Sequence, residues 1–282
     1  MIAEFLRAPT KSLFSLPSFS ESDVLFLGVP FDSNTSCRPG SRFAPWYVRL
    51  ASEFIEEYSI LYNIDIRDLK IGDYGDIDVS FGDFKETIRR ATSVIRLITQ
   101  KKLVFLGGDH TVTIVIVNAL KENIGKLVVL DAHADFYDEY QGNRFSHACT
   151  IRRLSEIIGA ENISVLGIRS ASKKNLEDMQ EFGIEYYTIF DLFNNPSILE
   201  DKIKSCDYLS IDLDFFDPSH IPNVSCPEPL GFDVKDFFTI IPRIGAKYVD
   251  ITELVPFDPL ERSAITTASL LREILIRLAL NR

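Results

Sequence analysis

The stretch Leu127-Val128-Val129-Leu130-Asp131-Ala132-His133-Ala134-Asp135 runs four apolar residues straight into three residues of metal-ligand type. A short, unbroken run of Val and Leu suits a strand buried on both faces of a parallel sheet. Similar runs occur at 24–29, 103–106, 163–168, 208–213 and 248–252, with weaker ones near 69–71 and 184–187. Amphipathic helical patterns lie between them, at 86–100 and at about 148–158, where Gly159 is a natural stop. Asp233 can cap a helix through Ile241, Pro196 can open another, and 263–280 reads as a long amphipathic helix. Strand and helix alternate over the whole length without a Pro-, Gly- or Ser-rich linker. The chain is therefore expected to form one α/β domain, residues 1–282, around a mainly parallel sheet.

Ligands in such sheets bind outside the carboxyl ends of the strands. Three strand ends carry the relevant chemistry: Gly107-Gly108-Asp109-His110, Asp131-Ala132-His133-Ala134-Asp135, and Ser210-Ile211-Asp212-Leu213-Asp214-Phe215-Phe216-Asp217-Pro218. If the backbone stays extended, Asp131, His133 and Asp135 point the same way, and Asp212 and Asp214 repeat the device. A buried strand end has no reason to turn carboxylates inward unless a cation pairs with them. With His110, these residues can hold two divalent ions, and an oxygen-rich set with few imidazoles favours Mn²⁺ over Zn²⁺. Taken singly, each motif has a bland reading: a tight turn with solvated side chains, or a helix cap. Together they point to a metal centre.

Composition narrows the class further. The 282 residues are 46% hydrophobic, ample for a large core, with 41 acidic and 30 basic residues for a net charge of -11. That balance argues against sequence-independent nucleic-acid binding and fits a cationic substrate. The longest apolar stretch, Thr111–Leu120, is about half the ~20 residues needed to span a bilayer. Glu4, Arg7 and Lys11 break up any apolar N-terminal leader, so a cytoplasmic protein is expected. Cys37, Cys149, Cys206 and Cys226 form no CxxC pair and read as free thiols. No Gly-x-Ser-x-Gly elbow, phosphate loop or Gly-x-Gly-x-x-Gly turn is present.

The three strand-end motifs resemble those of the ureohydrolase family of arginases, agmatinases and formimidoylglutamases. Arg38-Pro39-Gly40-Ser41-Arg42-Phe43-Ala44-Pro45 and Ile251-Thr252-Glu253-Leu254-Val255-Pro256 are similar to its terminal motifs, so the likeness runs from about residue 20 to the end. It implies a three-layer domain with an eight-stranded sheet, assembled as trimers or hexamers. It implies two Mn²⁺ per chain, one held by His110, Asp131, Asp135 and Asp212 and the other by Asp131, His133, Asp212 and Asp214, with Asp131 and Asp212 bridging. The implied reaction releases urea from a guanidino substrate. His147 matches the family's proton-shuttling imidazole, Glu253 its guanidinium-binding carboxylate, and Asp135 would orient the attacking water; His220 reads as a loop residue. Agmatine, giving putrescine and urea, is the expected substrate, because Asp138 and Glu139 would repel a carboxylate and attract a distal ammonium. Cys226, where a substrate-side Thr is usual, leaves arginine, guanidinobutyrate and formimidoylglutamate open. An amide deacetylase or a non-catalytic metal-binding protein are the remaining alternatives.

Overall fold

The computed structural model describes residues 4–18 and 21–281; the first three residues of the N-terminal stretch discussed above lie outside the described set. The strands are β1 (Leu6–Arg7), β2 (Val24–Val29), β3 (Tyr58–Ser59), β4 (Ile64–Asp65), β5 (Ile71–Ile77), β6 (Lys102–Gly107), β7 (Leu127–Leu130), β8 (Ile163–Ile168), β9 (Glu185–Thr188), β10 (Tyr208–Asp212) and β11 (Tyr248–Thr252). The helices are α1 (Ala44–Ala51), α2 (Phe84–Ile95), α3 (Thr111–Leu120), α4 (Thr150–Ile158), α5 (Lys173–Phe182), α6 (Ile189–Asn194), α7 (Ser197–Ser205), α8 (Val234–Ile240) and α9 (Arg262–Leu280). Among the described residues, nine strands form one sheet in the order β1-β5-β2-β6-β11-β10-β7-β8-β9, and β3 and β4 pair separately. The expected eight strands are the parallel ones; the two-residue β1 adds a ninth, antiparallel to the β5 edge.

Alternate strand residues feed two cores, which makes three layers. Phe26, Val104, Leu130, Ile211 and Ile251 pack with α1 and α6 to α9; Leu25, Phe105, Val129, Val165 and Tyr248 pack with α2 to α5. Helix α3 is apolar nearly all round because it is buried nearly all round. Among the described residues, no helix is long and apolar enough to cross a membrane.

Two boundaries differ from the sequence reading. The weak strand near 69–71 begins at Ile71 and continues to Ile77 through Asp73 and Asp76. These carboxylates are tolerated because Arg49 of α1 reaches them: Nε lies 2.8 Å from Asp73 Oδ2 and Nη1 2.7 Å from Asp76 Oδ1. The helix expected over 86–100 is α2, which ends at Ile95.

The topology decides where the site forms. The chain passes from β6 through α3 to β7, yet β11 and β10 lie between those two strands. Strands distant in sequence thus bring their carboxyl ends side by side at a topological switch point. The turn after β6 is held by Asp109 N, which donates to Phe31 O at 2.9 Å. A Cβ on Gly108 would lie 1.8 Å from that same Phe31 oxygen, a backbone atom that cannot swing aside. Gly108→Ala is therefore expected to cost at least the ~1–3 kcal/mol of an overpacked core. Urea denaturation checks this; unchanged stability would mean that the turn is not tight.

Candidate metal centre and active-site cavity

The aspartates and histidines converge at the carboxyl ends of β6, β7 and β10, but not by the extended geometry expected. β7 ends at Leu130, so Asp131, His133 and Asp135 lie in the loop beyond it. Asp135 adopts a left-handed φ of 43°, and its carbonyl accepts from Ile151 N at 3.0 Å, anchoring the loop to α4. Asp212 closes β10, and Asp214 sits in the following 3-10 turn, its N–H donating to Asp212 Oδ1 at 2.9 Å. The helix-cap role considered for this Asp-x-Asp is thus real for one oxygen of Asp212. Asp214 Oδ1 accepts from Ala132 N at 3.0 Å, and Arg169 donates to the Asp214 carbonyl at 2.6 Å, locking the two loops together.

Two sets of facing ligand atoms result, His110–Asp131–Asp212 and Asp131–His133–Asp214, with Asp131 common to both. His110 Nδ1 lies 3.1 Å from Asp131, 3.2 Å from Asp135 and 3.3 Å from Asp212. His133 Nδ1 lies 2.8 Å from Asp214 and 3.6 Å from Asp131. Asp135 borders the first set without joining it. Burial and the nearby Asp131 push Asp135 up to about 6, and burial with Asp214 and Asp131 raises Asp212 well above the carboxylate range. Burial also opposes charge on Asp131 and on both imidazoles. Their mutual attraction outweighs it, holding Asp131 below its usual range and His110 and His133 far above theirs. Asp131 Oδ2 is buried and faces His110 Nδ1 across that 3.1 Å. Four carboxylates and two imidazoles are a donor set that fits divalent cations.

A second layer, not apparent from the sequence, orients the first. His110 Nε2 lies 3.3 Å from Ser210 Oγ, which donates to buried Asp250 at 2.7 Å; Tyr208 OH also donates to Asp250. Such partners fix the ring and tautomer of a ligating histidine. The only advance signal was the period-2 spacing of Tyr208, Ser210 and Asp212 on β10. On the other side, Glu228 lies 3.5 Å from His133 Nε2 and accepts from Ser170 at 2.9 Å.

The remaining candidates line the adjoining cavity. Glu253 follows β11 with a left-handed φ of 66°. Its Oε1 accepts from His110 N at 2.7 Å and lies 3.0 Å from His147 Nδ1, while its buried Oε2 makes no hydrogen bond. Ser36 N donates to His147 Nε2 at 3.1 Å, so the neutral ring carries its proton on Nδ1, toward Glu253. Burial works against the imidazolium, but Glu253 prevails and lifts His147 to about 9. Ser36 was missed because it lies 111 residues from its partner. The cavity, about 330 Å³, is also lined by Tyr137, Tyr140, Asn175 and Cys226.

Asp138 and Glu139 do not line it. Asp138 is instead turned to Arg153 at 2.7 Å and Arg144 at 3.3 Å, so the ammonium attraction expected of this pair is not supported. His220 is a half-exposed loop residue 3.6 Å from Asp233. Ser210→Ala removes the link between His110 and Asp250 and is expected to weaken divalent-cation affinity by ~10–100-fold. Cation-dependent melting shifts measure this; wild-type affinity would show that the link is idle.

The Arginase family model matches residues 22–277. An agmatinase from Pyrococcus horikoshii is 38% identical over 75% of this chain and 76% of its own length. The N(1)-aminopropylagmatine ureohydrolase of Thermococcus kodakarensis is 34% identical over 92% of this chain and 91% of its own. The crystal structure of the agmatine ureohydrolase of Thermoplasma volcanium superposes with a TM-score of 0.87 at 31% identity, covering 96% of this chain and 95% of that one. With the strand-end motifs, the sheet order and the whole-length likeness in agreement, the chain belongs to the arginase family of hydrolases.

Proposed function

We propose that the chain is a ureohydrolase with two Mn²⁺ ions that converts agmatine and water to putrescine and urea. The observation that carries this reading is Asp131, shared between two three-residue ligand sets at one cavity. His110, Asp131, Asp135 and Asp212 would hold one ion, and Asp131, His133, Asp212 and Asp214 the other. When bound, such a pair neutralises the carboxylates and supplies a water acidic enough to attack near neutral pH.

The chain's own groups do the rest. A guanidinium carbon is a poor electrophile, so the substrate must be held rigidly against its nucleophile. Glu253 Oε2 is buried with no hydrogen bond, free to accept from guanidinium N–H groups. Its Oε1 is already fixed by His110 N, which couples substrate position to the metal loop. Asp135 can accept a hydrogen bond from the attacking water. The amine leaves only once protonated, and His147, whose basicity Glu253 raises, is the group placed to supply that proton.

The cavity favours a cation. Asp135, Asp212, Asp214 and Glu253 line it, and among its described lining residues there is no Lys or Arg to pair with the α-carboxylate of arginine. Ser170, Ser172 and Asn175 offer neutral acceptors for a distal ammonium in place of Asp138 and Glu139. The 34% identical aminopropylagmatine relative favours a second reading, in which a longer polyamine chain leaves the same site.

Urea release from agmatine, N(1)-aminopropylagmatine, arginine and 4-guanidinobutyrate under one Mn²⁺ condition ranks the substrates. Agmatine is expected to have the highest kcat/KM; a higher value for aminopropylagmatine selects the second reading, and one for arginine or guanidinobutyrate refutes both. His147→Ala is expected to retain its metal and lose ~10²–10⁴-fold in kcat. An unchanged kcat would return His147 to a structural role.

A further inference from the structure

Two loops meet at the mouth of the cavity. Residues 32–42, after β2, fold on themselves because Asp32 Oδ2 accepts from Gly40 N at 2.8 Å and Arg42 N at 3.2 Å. Residues 223–230 are pinned beside the end of β11: Ser225 N donates to Glu253 O at 3.1 Å, and Val255 N to Asn223 O at 2.8 Å. The loops are stitched together by Thr35 Oγ1 and Ser225 Oγ, 3.1 Å apart, and by Ser225 Oγ donating to Arg38 O at 3.0 Å. Ser225 thereby touches Thr35 and Arg38 on either side of Cys37, so the adjoining Cys226 is set against that loop, within electrostatic reach of the Cys37 thiol. Cys37 is exposed, whereas Cys226 is partly buried and lines the cavity. Cys149 and Cys206 are buried, and burial pushes their thiols up to about 11 and about 12; burial and the neighbouring Cys37 push the Cys226 thiol up as well, so the accessible Cys37 is the one placed to meet an oxidant.

We propose that Cys37 and Cys226 are a reversible oxidation site: a peroxide converts them to a disulfide that ties the two loops across the cavity mouth. Cys37, the accessible partner, attacks the peroxide O–O bond, gaining one oxygen as sulfenic acid and releasing water. The Cys226 sulfur then attacks the Cys37 sulfur; the S–S bond forms, the S–O bond breaks, and a second water leaves. Two thiols lose two electrons and two protons, and one peroxide becomes two waters. Ser36, next to Cys37, holds His147 Nε2 through both its N–H and its hydroxyl. Closing the disulfide therefore draws on the loop that positions the imidazole as well as narrowing the entrance. Any effect on turnover rests on the ureohydrolase reading; the disulfide itself does not.

The test uses reduced, Mn²⁺-loaded protein treated with hydrogen peroxide, then alkylated, digested and analysed by mass spectrometry beside a urea-release assay. The expected product is a cross-linked Cys37–Cys226 peptide and an intact mass lower by about 2 Da. Urea release should fall about tenfold or more, since ångström displacements near a reacting centre can cost ~10²-fold, and should recover with dithiothreitol. Cys37→Ser should work as well as wild type and resist the same peroxide. Cys226→Ser, followed by mass alone, should leave Cys37 as a sulfenic acid trappable by dimedone. Peroxide-treated wild type with Cys37 oxidised but no cross-link overturns the proposal, as does a cross-link that leaves urea release intact. If no guanidino substrate is hydrolysed, the peptide map still decides whether the disulfide forms.

Discussion

Buried negative charge is the constraint on which this structure depends. Asp131, Asp212 and Asp214 are almost wholly inaccessible, and Asp135 shares their space. An isolated ionised carboxylate loses several kcal/mol on burial even after relaxation. The carboxylates in turn draw the imidazoles of His110 and His133 far above their usual range. Deprotonated imidazoles are what a cation requires, so metal loading and proton release are linked. The fold is arranged around this cluster: neighbouring strands β6, β11, β10 and β7 all end at it, and Ser210, Asp250 and Arg169 brace it from behind.

Backbone strain also occurs at this place. Asp135 and Glu253 are non-glycine residues with left-handed φ angles, a conformation that persists only when the surroundings impose it. Here they do so through hydrogen bonds: Ile151 N to the Asp135 carbonyl, and Glu253 N to Gly108 O at 2.8 Å. The last of these joins the β6 turn to the β11 end. Ser36, His147, Glu253 and His110 N form a continuous chain from the cavity mouth to the ligand loop. A shift at either end therefore reaches the other.

Much of this was legible in the sequence because buried parallel strands leave continuous apolar runs, and ligands fall just beyond them. Leu127–Leu130 followed by Asp131 and His133 is the clearest case. β5 was harder to read. Asp73 and Asp76 break its apolar pattern, and only the fold supplies Arg49 to pair with them. The convergence of Asp131, His133 and Asp135 was foreseen on the wrong geometric ground, since an irregular loop achieves it rather than a strand. Asp138 was misread because its partner, Arg153, lies a helix away, in α4. Ser36, Asp250 and Glu228 act through contacts between distant segments, which spacing along the chain does not reveal.

The claim beneath all of this is that the buried cluster is a two-cation site with Asp131 in common. Anomalous diffraction at the manganese edge, from crystals of protein reconstituted with Mn²⁺, tests it directly. Two peaks are predicted among His110, Asp131, His133, Asp135, Asp212 and Asp214, with Asp131 bonded to both. A single peak, or two peaks that Asp131 does not bridge, would contradict it.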